Sequence, residues 1–127
     1  MTEYVLDASA VLTVIQGEAG SERVEPHLRT APISAVNLAE VVAKLQERGL
    51  SRAEIAEILH LLDLDIRPFD RSMAITAGTL RAITRHAGLS LGDRACLAFA
   101  AESNGVVLTT DRAWAKLEIG VAIELVR

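Results

Sequence analysis

The chain has 127 residues, half of them hydrophobic, and a formal net charge of −4 at pH 7. This length and apolar content suit one domain with one core, and the acidic balance argues against binding of polyanions through bulk charge. The only cysteine, Cys96, excludes a disulfide framework and favours a reducing compartment, so we expect a cytoplasmic protein. No apolar run is long enough to cross a membrane, and Glu3 without a basic n-region predicts no signal peptide.

Short apolar strands alternate with helices along the whole sequence. Leu38, Val41 and Leu45 recur at helical spacing, and Ser51 with Glu54 forms a capping-box signature. Such alternation is typical of an α/β layer fold with a mainly parallel sheet. In chain order, the predicted strands are 3–6, 32–34, 65–68, 106–109 and 121–126, and the predicted helical segments are 8–16, 21–30, 35–45, 51–64, 70–88, 90–104 and 112–117.

Several acids stand where an α/β protein places its chemistry. Asp7 and Asp111 each follow a predicted strand, and Asp93 lies in the first turn of a predicted helix. The carboxyl ends of parallel strands share one edge of a sheet, where clustered carboxylates repel one another unless cations are present. Oxygen ligands suit Mg²⁺ or Mn²⁺ better than zinc, and these ions can activate water against a phosphodiester. With Glu40 from a neighbouring helix, the pattern favours a metal-dependent nuclease.

Each acid also has an ordinary structural explanation. Asp7 and Asp111 could cap the helical segments that follow them, and Asp93 could interact with the dipole of its own helix. A single glutamate flanked by apolar residues, such as Glu40, usually faces solvent. For each residue taken alone both explanations stay open, and only the four acids together favour the nuclease.

Four sequence blocks resemble a PIN domain, and more closely the VapC-type toxins of bacterial toxin–antitoxin pairs. The resemblance runs along essentially the whole chain, and no acidic position of the pattern is missing. The blocks are VLDASA at 5–10, ISAVNLAEV at 33–41, LSLGDRACLA at 89–98 and LTTDRAW at 108–114.

The resemblance implies both a fold and an activity. The expected fold is a single PIN-like domain over residues 1–127, a three-layer α/β/α sandwich with a mainly parallel five-stranded sheet. The expected activity is that of a Mg²⁺- or Mn²⁺-dependent endoribonuclease, the toxin of a type II toxin–antitoxin system. It would hydrolyse RNA through a metal-activated water and inhibit translation or growth until an antitoxin neutralises it. The implied partners are RNA, a VapB-type antitoxin and a second copy of the chain.

The resemblance also assigns the site residues. Asp7, Glu40, Asp93 and Asp111 are expected to be both catalytic and metal-binding. As a hypothesis, Asp7 and Asp93 hold the main ion, while Glu40 and Asp111 hold a second ion or act through water. The expected supporting residues are Ser9, Asn37, Thr109 and Thr110.

Basic and apolar side chains outside the acid set are the remaining candidates. Phosphate contacts are predicted for the basic residues near the acids and on the 70–88 helix, with a merely solvated face as the alternative. Leu61 and Leu64 fall outside the apolar stripe of their helix and are predicted to face a partner, unless they complete the core. The basic residues are Arg94, Arg112, Lys116, Arg81 and Arg85.

Three other function classes fit the sequence less well. A phosphoacceptor receiver domain carries paired acids near its first strand and a lysine after its last, but here Glu3 is the single acid at the start of the first strand and 121–127 contains no lysine. A haloacid-dehalogenase-type phosphatase needs Asp-x-Asp, whereas this chain has Asp7-Ala8-Ser9. A non-catalytic α/β binding module would need no acid quartet. Cys96 is predicted to belong to the core.

Overall fold

The computed structural model describes residues 3–127, so residues 1 and 2 of the predicted domain lie outside the described residues. Within 3–127, five strands alternate with six α-helices. The strands are β1 (Tyr4–Leu6), β2 (Pro32–Ser34), β3 (Asp65–Arg67), β4 (Val106–Thr109) and β5 (Ala122–Leu125). The helices are α1 (Ala8–Ile15), α2 (Ser21–Val24), α3 (Ala35–Glu47), α4 (Arg52–Leu62), α5 (Arg71–Thr84) and α6 (Leu91–Ser103), and 3-10 turns span Glu25–His27, Arg85–Ala87 and Arg112–Lys116.

Every hydrogen-bonded strand pair described is parallel, which confirms the predicted parallel sheet. β4 lies between β1 and β5, and β2 pairs with β3. β1 and β2 are neighbours in space, but no ladder joins them within residues 3–127, so the hydrogen bonds divide the five strands into a group of three and a group of two. Pro32 at the start of β2 has no N–H to donate, which removes one hydrogen bond from that short strand.

Side chains of the central strands alternate between two apolar cores. Leu6 and Leu108 pack on one face with buried residues of α1 to α4. Val5 and Val107 pack on the other face with α6 and Trp114. Burying each such aliphatic side chain stabilises the fold by roughly 1.5–3 kcal/mol. A helical layer on each face of the sheet confirms the predicted three-layer sandwich.

Local signals set most helix ends as predicted. Ser51 and Glu54 form a complete capping box at α4, and the Asp70 carboxylate accepts a hydrogen bond from the Met73 N–H at 3.0 Å to begin α5. α3 ends at Glu47, two residues before Gly49, whose φ of +95° is a conformation that glycine adopts readily. The predicted 21–30 helix is shorter than expected because Pro26 lies in a 3-10 turn that follows α2.

The end of α4 corrects one partner prediction. Asp63 ends the helix in a left-handed conformation, and the chain turns so that Leu64 packs against the core beneath α1 to α4. Leu64 therefore completes the core, whereas Leu61 remains 70% exposed. Among the helices of residues 3–127, none combines the length and apolar character needed to cross a bilayer.

Candidate active site

Asp7 lies where β1 ends and α1 begins. Its N–H donates to the Leu108 carbonyl at 3.1 Å, which extends the β1–β4 contact by one residue. Its own carbonyl accepts from the N–H groups of Ala10 and Val11, and these bonds begin the helix. Asp7 occupies the predicted N-cap position of α1, but its side chain makes no capping hydrogen bond. The carboxylate is free for another purpose at the carboxyl edge of the sheet.

Two hydroxyl groups hold the Asp7 carboxylate. Ser9 Oγ donates to Asp7 Oδ2 at 2.6 Å, and Thr109 Oγ1 donates to the same oxygen at 2.8 Å. Each hydroxyl has a single hydrogen, so the 3.2 Å approach of Ser9 Oγ to Thr109 Oγ1 is a contact rather than a third donation. The two hydroxyls accept in turn from the main-chain N–H groups of Thr110 and Asp111, both at 3.1 Å. Both donors therefore have fixed orientations, and they leave Asp7 Oδ1 without a hydrogen bond within residues 3–127.

This network involves three of the predicted supporting residues. Ser9 and Thr109 lie beside the acid through their hydroxyls, as the resemblance implied. Thr110 differs from expectation, because its main-chain N–H and not its hydroxyl takes part within the described chain. Thr109 is the last residue of β4, whereas Thr110 is the first residue after the strand.

Burial and neighbouring acids change the proton affinity of Asp7. Only 6% of the residue is exposed, and desolvation of the carboxylate raises the pKa of Asp7 to about 6. The hydrogen bonds from Ser9 and Thr109 lower the pKa, while the charges of Glu40 and Asp93 raise it further. Glu40 and Asp93 therefore lie within electrostatic reach of Asp7, as expected for a cluster of acids.

Glu40 approaches the start of α6. Asn37, one helical turn earlier on α3, donates through Nδ2 to Glu40 Oε1 at 2.8 Å and to the Gly92 carbonyl at 3.0 Å. A Cβ atom at Gly92 would collide with the Glu40 carboxylate, so the glycine is needed for this approach. The solvent-facing explanation for Glu40 is wrong, because the residue is half-buried between two helices.

Asp93 belongs to the first turn of α6 and also serves its capping box. Its Oδ2 accepts from the Ser90 N–H at 3.0 Å, and its own N–H donates to Ser90 Oγ at 3.1 Å. The structural explanation of Asp93, a residue in the first turn of its helix, is therefore confirmed, and it does not conflict with a place in the acid cluster. The charge of Asp93 also acts on Asp7, so the same side chain belongs to the capping box and to the group of acids.

Asp111 lies at the exposed rim. Its Oδ1 accepts from the Ala113 N–H at 3.0 Å and begins the 3-10 turn at Arg112–Lys116, so the capping explanation holds for this acid. The charges of Glu40 and Asp93 both act on Asp7, so these three acids form one electrostatic cluster. Asp111 is linked to them through its main-chain N–H, which donates to Thr109 Oγ1 at 3.1 Å, while one oxygen of its side chain is engaged in the cap.

The predicted basic contacts fall into two groups. Arg94 turns inward, where its Nη1 donates to the Ala77 carbonyl of α5 at 3.0 Å and its Nε is buried. The prediction that Arg94 guides phosphate is therefore corrected, because this side chain fastens α6 to α5. The remaining candidates are exposed and form no ion pair within residues 3–127: Arg112, Lys116, Arg81 and Arg85.

Cys96 and Gly92 also lie near the acids. Cys96 is fully buried in the core under the site, and burial raises the pKa of its thiol, as do the charges of Asp7, Glu40 and Asp93. A thiol in that setting stays protonated, which agrees with the predicted core role. Gly92 was not recognised from the sequence as a site residue, although a glycine in the first turn of a helix is a signal of close approach.

The donor atoms allow a test of fit to a metal ion. Asp7, Glu40 and Asp93 offer only oxygen, and Asp7 Oδ1 is available. In the described part of the chain, no three His, Cys, Asp or Glu side chains form a ready-made cage. Mg²⁺ commonly takes one or two carboxylates and fills its other positions with water and substrate phosphate. The residues therefore fit Mg²⁺ or Mn²⁺ and do not fit a structural zinc.

Comparisons with known proteins agree with this architecture. The fold is similar to DNA-bound VapBC from Salmonella typhimurium (21% identity, 100% of both chains covered, TM-score 0.79) and to VapBC2 from Rickettsia felis bound to a promoter fragment (18%, 98% of both, 0.77). It is also similar to VapBC-1 from nontypeable Haemophilus influenzae (15%, 98% of both, 0.75). A search of curated protein sequences gives no significant match. A family model for the PIN domain matches residues 4–120, and the chain therefore belongs to the PIN domain family.

Proposed function

We propose that residues 1–127 form one PIN domain that acts as a Mg²⁺- or Mn²⁺-dependent endoribonuclease, the toxin of a type II toxin–antitoxin pair, in the cytoplasm. The observation that carries this proposal is the buried Asp7 carboxylate, whose pKa is raised to about 6 with Glu40 and Asp93 in electrostatic reach. Three acids that repel one another at the carboxyl edge of a parallel sheet favour a bound cation. PIN domains of toxins are generally nucleases, which agrees with this chemistry.

The residues divide into holding and orienting groups. Asp7 and Asp93 are proposed to hold the ion, each through an oxygen that the hydrogen bonds above leave free. Ser9 and Thr109 fix the Asp7 carboxylate, and Glu40 completes the negative pocket. A bound divalent ion would activate water and offset the charge that develops on the phosphate.

Asp111 has a distinct proposed role. Its carboxylate lies at the rim with one oxygen committed to the Ala113 N–H, so it meets the reaction from the solvent side. We propose that Asp111 would bind a second ion or would accept a proton through a water molecule. Arg112 and Lys116, exposed on the adjoining turn, are proposed to contact RNA phosphates.

The proposed partners rest on the similar structures. Those structures are toxin–antitoxin complexes, which supports a VapB-type antitoxin for this chain. Of the two leucines that were expected to face a partner, Leu64 packs against the core and Leu61 is exposed on α4. Leu61 is therefore the proposed contact with the partner. A homodimer is proposed from the same resemblance. Membership of the PIN family disfavours a receiver domain or a non-catalytic module. A receiver domain would also carry paired acids near its first strand, whereas Asp7 is a single acid directly after β1.

Cleavage of RNA tests the function directly. The purified chain, free of antitoxin, is incubated with total cellular RNA and Mg²⁺ or Mn²⁺, and new ends are mapped by sequencing. Glu54→Gln is the matched control, since Glu54 is exposed and belongs to the capping box of a different helix, α4. New ends that require metal and vanish in Asp93→Asn support the proposal. Ends that persist in Asp93→Asn, or that form equally in EDTA, contradict it.

A further inference from the structure

Asn37 makes an unusual set of contacts between α3 and α6. It is fully buried, and both hydrogens of its amide nitrogen are used, one on Glu40 Oε1 and one on the Gly92 carbonyl. The two acceptors lie on different helices, since Gly92 is 55 residues away in sequence. The Asn37 side chain is therefore a bridge between a site acid and the first turn of the helix that carries Asp93.

The orientation of the Asn37 amide follows from these acceptors. A flipped amide would direct Oδ1 at a carboxylate and a carbonyl, and neither has a hydrogen to give. Nδ2 must therefore face Glu40 and Gly92, which leaves Oδ1 buried and without a hydrogen-bond partner within residues 3–127. Asn37 thus satisfies two acceptors on neighbouring helices while its own carbonyl oxygen stays buried without a partner, so its position is set by the donors and not by the acceptor.

Gly92 confines Glu40 from the opposite side. The space that a Cβ would occupy at Gly92 is taken by the Glu40 carboxylate. Glu40 is thus held between the donor on Asn37 and the bare backbone of α6. Glutamate has three rotatable side-chain bonds, so without these two restraints its carboxylate would sample several positions.

We propose that Asn37 is a positioning residue, which fixes the Glu40 carboxylate against Gly92 and so sets the distance between Glu40 and the Asp7–Asp93 pair. The inference rests on the proposed function, since it assigns Asn37 a part in the same metal-dependent site. Asn37 itself contacts neither metal nor RNA. Residues that orient a metal-binding carboxylate commonly change metal affinity or activity by 10–100-fold when replaced.

Two variants isolate the donor from the volume of the side chain. Asn37→Asp keeps the shape and replaces the donor with an acceptor, while Asn37→Ala removes both. We expect either change to raise the Mn²⁺ concentration for half-maximal cleavage by at least about tenfold and to lower kcat, with little change in KM for RNA. Val41→Ala is the matched control, because Val41 is fully buried on the same helix and contributes packing only.

A metal-free measurement tests the bridge itself. In the ¹⁵N–¹H spectrum of the apo protein, the Asn37 side-chain amide should exchange with water much more slowly than that of Asn104, which is exposed. Glu40→Ala should shift the Asn37 amide resonance. Exchange as fast as that of Asn104, or no shift in Glu40→Ala, overturns the inference whatever the activity of the protein.

The outcomes separate this inference from the proposed function. Wild-type cleavage that needs Mn²⁺, with unchanged metal response in both Asn37 variants, overturns the inference and leaves the function standing. A loss of metal response in Val41→Ala equal to that in Asn37→Asp also overturns it, because general destabilisation would then be the cause. Protected Asn37 hydrogens in a wild-type protein that neither binds Mn²⁺ nor cleaves RNA would overturn the proposed function and, with it, the positioning role.

Discussion

Two helices of this chain, α4 and α6, begin with the same capping motif, but only one of the two motifs lies at the proposed site. α4 begins with Ser51 and Glu54, and α6 begins with Ser90 and Asp93, and both pairs form a complete capping box. At α4 the box is exposed to solvent, and hydrogen bonds from Ser51 lower the pKa of Glu54. At α6 the same box carries an acid into reach of the buried Asp7. A capping box is thus a local property, and its surroundings decide whether it also takes part in a site.

The residue inside each box shows how the surroundings differ. The third residue of the α4 box is Ala53, which is exposed, whereas that of the α6 box is Gly92, against which Glu40 packs. α6 meets the carboxyl edge of the sheet and the acid-bearing helix α3, while α4 packs on the outer side of α3. The comparison predicts that equivalent changes in the two boxes have unequal consequences for activity.

The largest difference is expected from removing the acid of each box. Asp93→Asn should reduce metal-dependent RNA cleavage by at least about a hundredfold, because a proposed metal-holding charge is lost. The amide oxygen can still accept from the Ser90 N–H, so the helix should keep its cap. Glu54→Gln should leave the cleavage rate unchanged. Initial rates at fixed Mn²⁺ measure both variants, and equal rates for the two would erase the proposed distinction.

The next largest effect is expected from Asp7, whose titration should change the stability of the protein. Because the pKa of Asp7 is raised from 3.8 to about 6, the folded protein binds more protons than the unfolded chain between these values. The stabilisation of the folded state by the protonated Asp7 is therefore fully present below about pH 4 and is lost as the pH rises through about 6. Without metal, the free energy of unfolding should fall by on the order of 3 kcal/mol over this range.

Urea unfolding of the metal-free protein from pH 4.5 to 7 measures this loss. Asp7→Asn removes the titrating group and should flatten the profile over this window. Mn²⁺ at pH 7 should restore stability to the wild-type protein, since a ligand of the folded state raises its free energy of unfolding. A wild-type profile that is as flat as that of Asp7→Asn, or that rises between pH 4.5 and 7, would refute the raised pKa.

Exchanging the glycine and alanine of the two boxes sharpens the comparison further. Gly92→Ala should lower the cleavage rate by about tenfold or more, because the added methyl group displaces the Glu40 carboxylate. Ala53→Gly should cost about 1 kcal/mol of stability through helix propensity and leave the rate unchanged. Steady-state kinetics with thermal unfolding of both variants distinguishes the two effects. Full activity of Gly92→Ala would show that Glu40 does not need its present position.

The smallest effect is expected from the two serines. Ser51→Ala and Ser90→Ala should each lose about 1 kcal/mol of stability, since each removes one N-cap hydrogen bond. Only Ser90→Ala should also weaken Mn²⁺ binding, by a few-fold, because the first turn that carries Asp93 loses its restraint. Thermal unfolding with and without Mn²⁺ measures both quantities, and a matching change of metal response in Ser51→Ala would contradict the account.

Local features of the structure were predictable from the sequence. The capping box at Ser51, the cap at Asp70 and the glycine after α3 each depend on neighbours within a few residues. The strand–helix alternation likewise predicted a parallel sheet, and so the edge at which Asp7 and Asp93 meet. These predictions needed no knowledge of the packing between helices.

Features that depend on contacts between distant residues were not predictable. Arg94 turns toward the Ala77 carbonyl because α5 packs beside α6, and no sequence pattern reports that orientation. The bridge from Asn37 to Gly92 joins two helices far apart in the chain. The missing ladder between β1 and β2 is also a matter of tertiary geometry. In each case the residue type was visible, but its partner was not.

Direct measurement of Mn²⁺ binding tests the central claim, that the α6 box belongs to a metal site and the α4 box does not. The electron paramagnetic resonance signal of free Mn²⁺ is titrated with wild-type protein, Asp93→Asn and Glu54→Gln at pH 7. The account predicts that wild-type protein and Glu54→Gln reduce the free signal equally and that Asp93→Asn does so far less. No binding by the wild-type protein, or equal binding by Asp93→Asn, would contradict it.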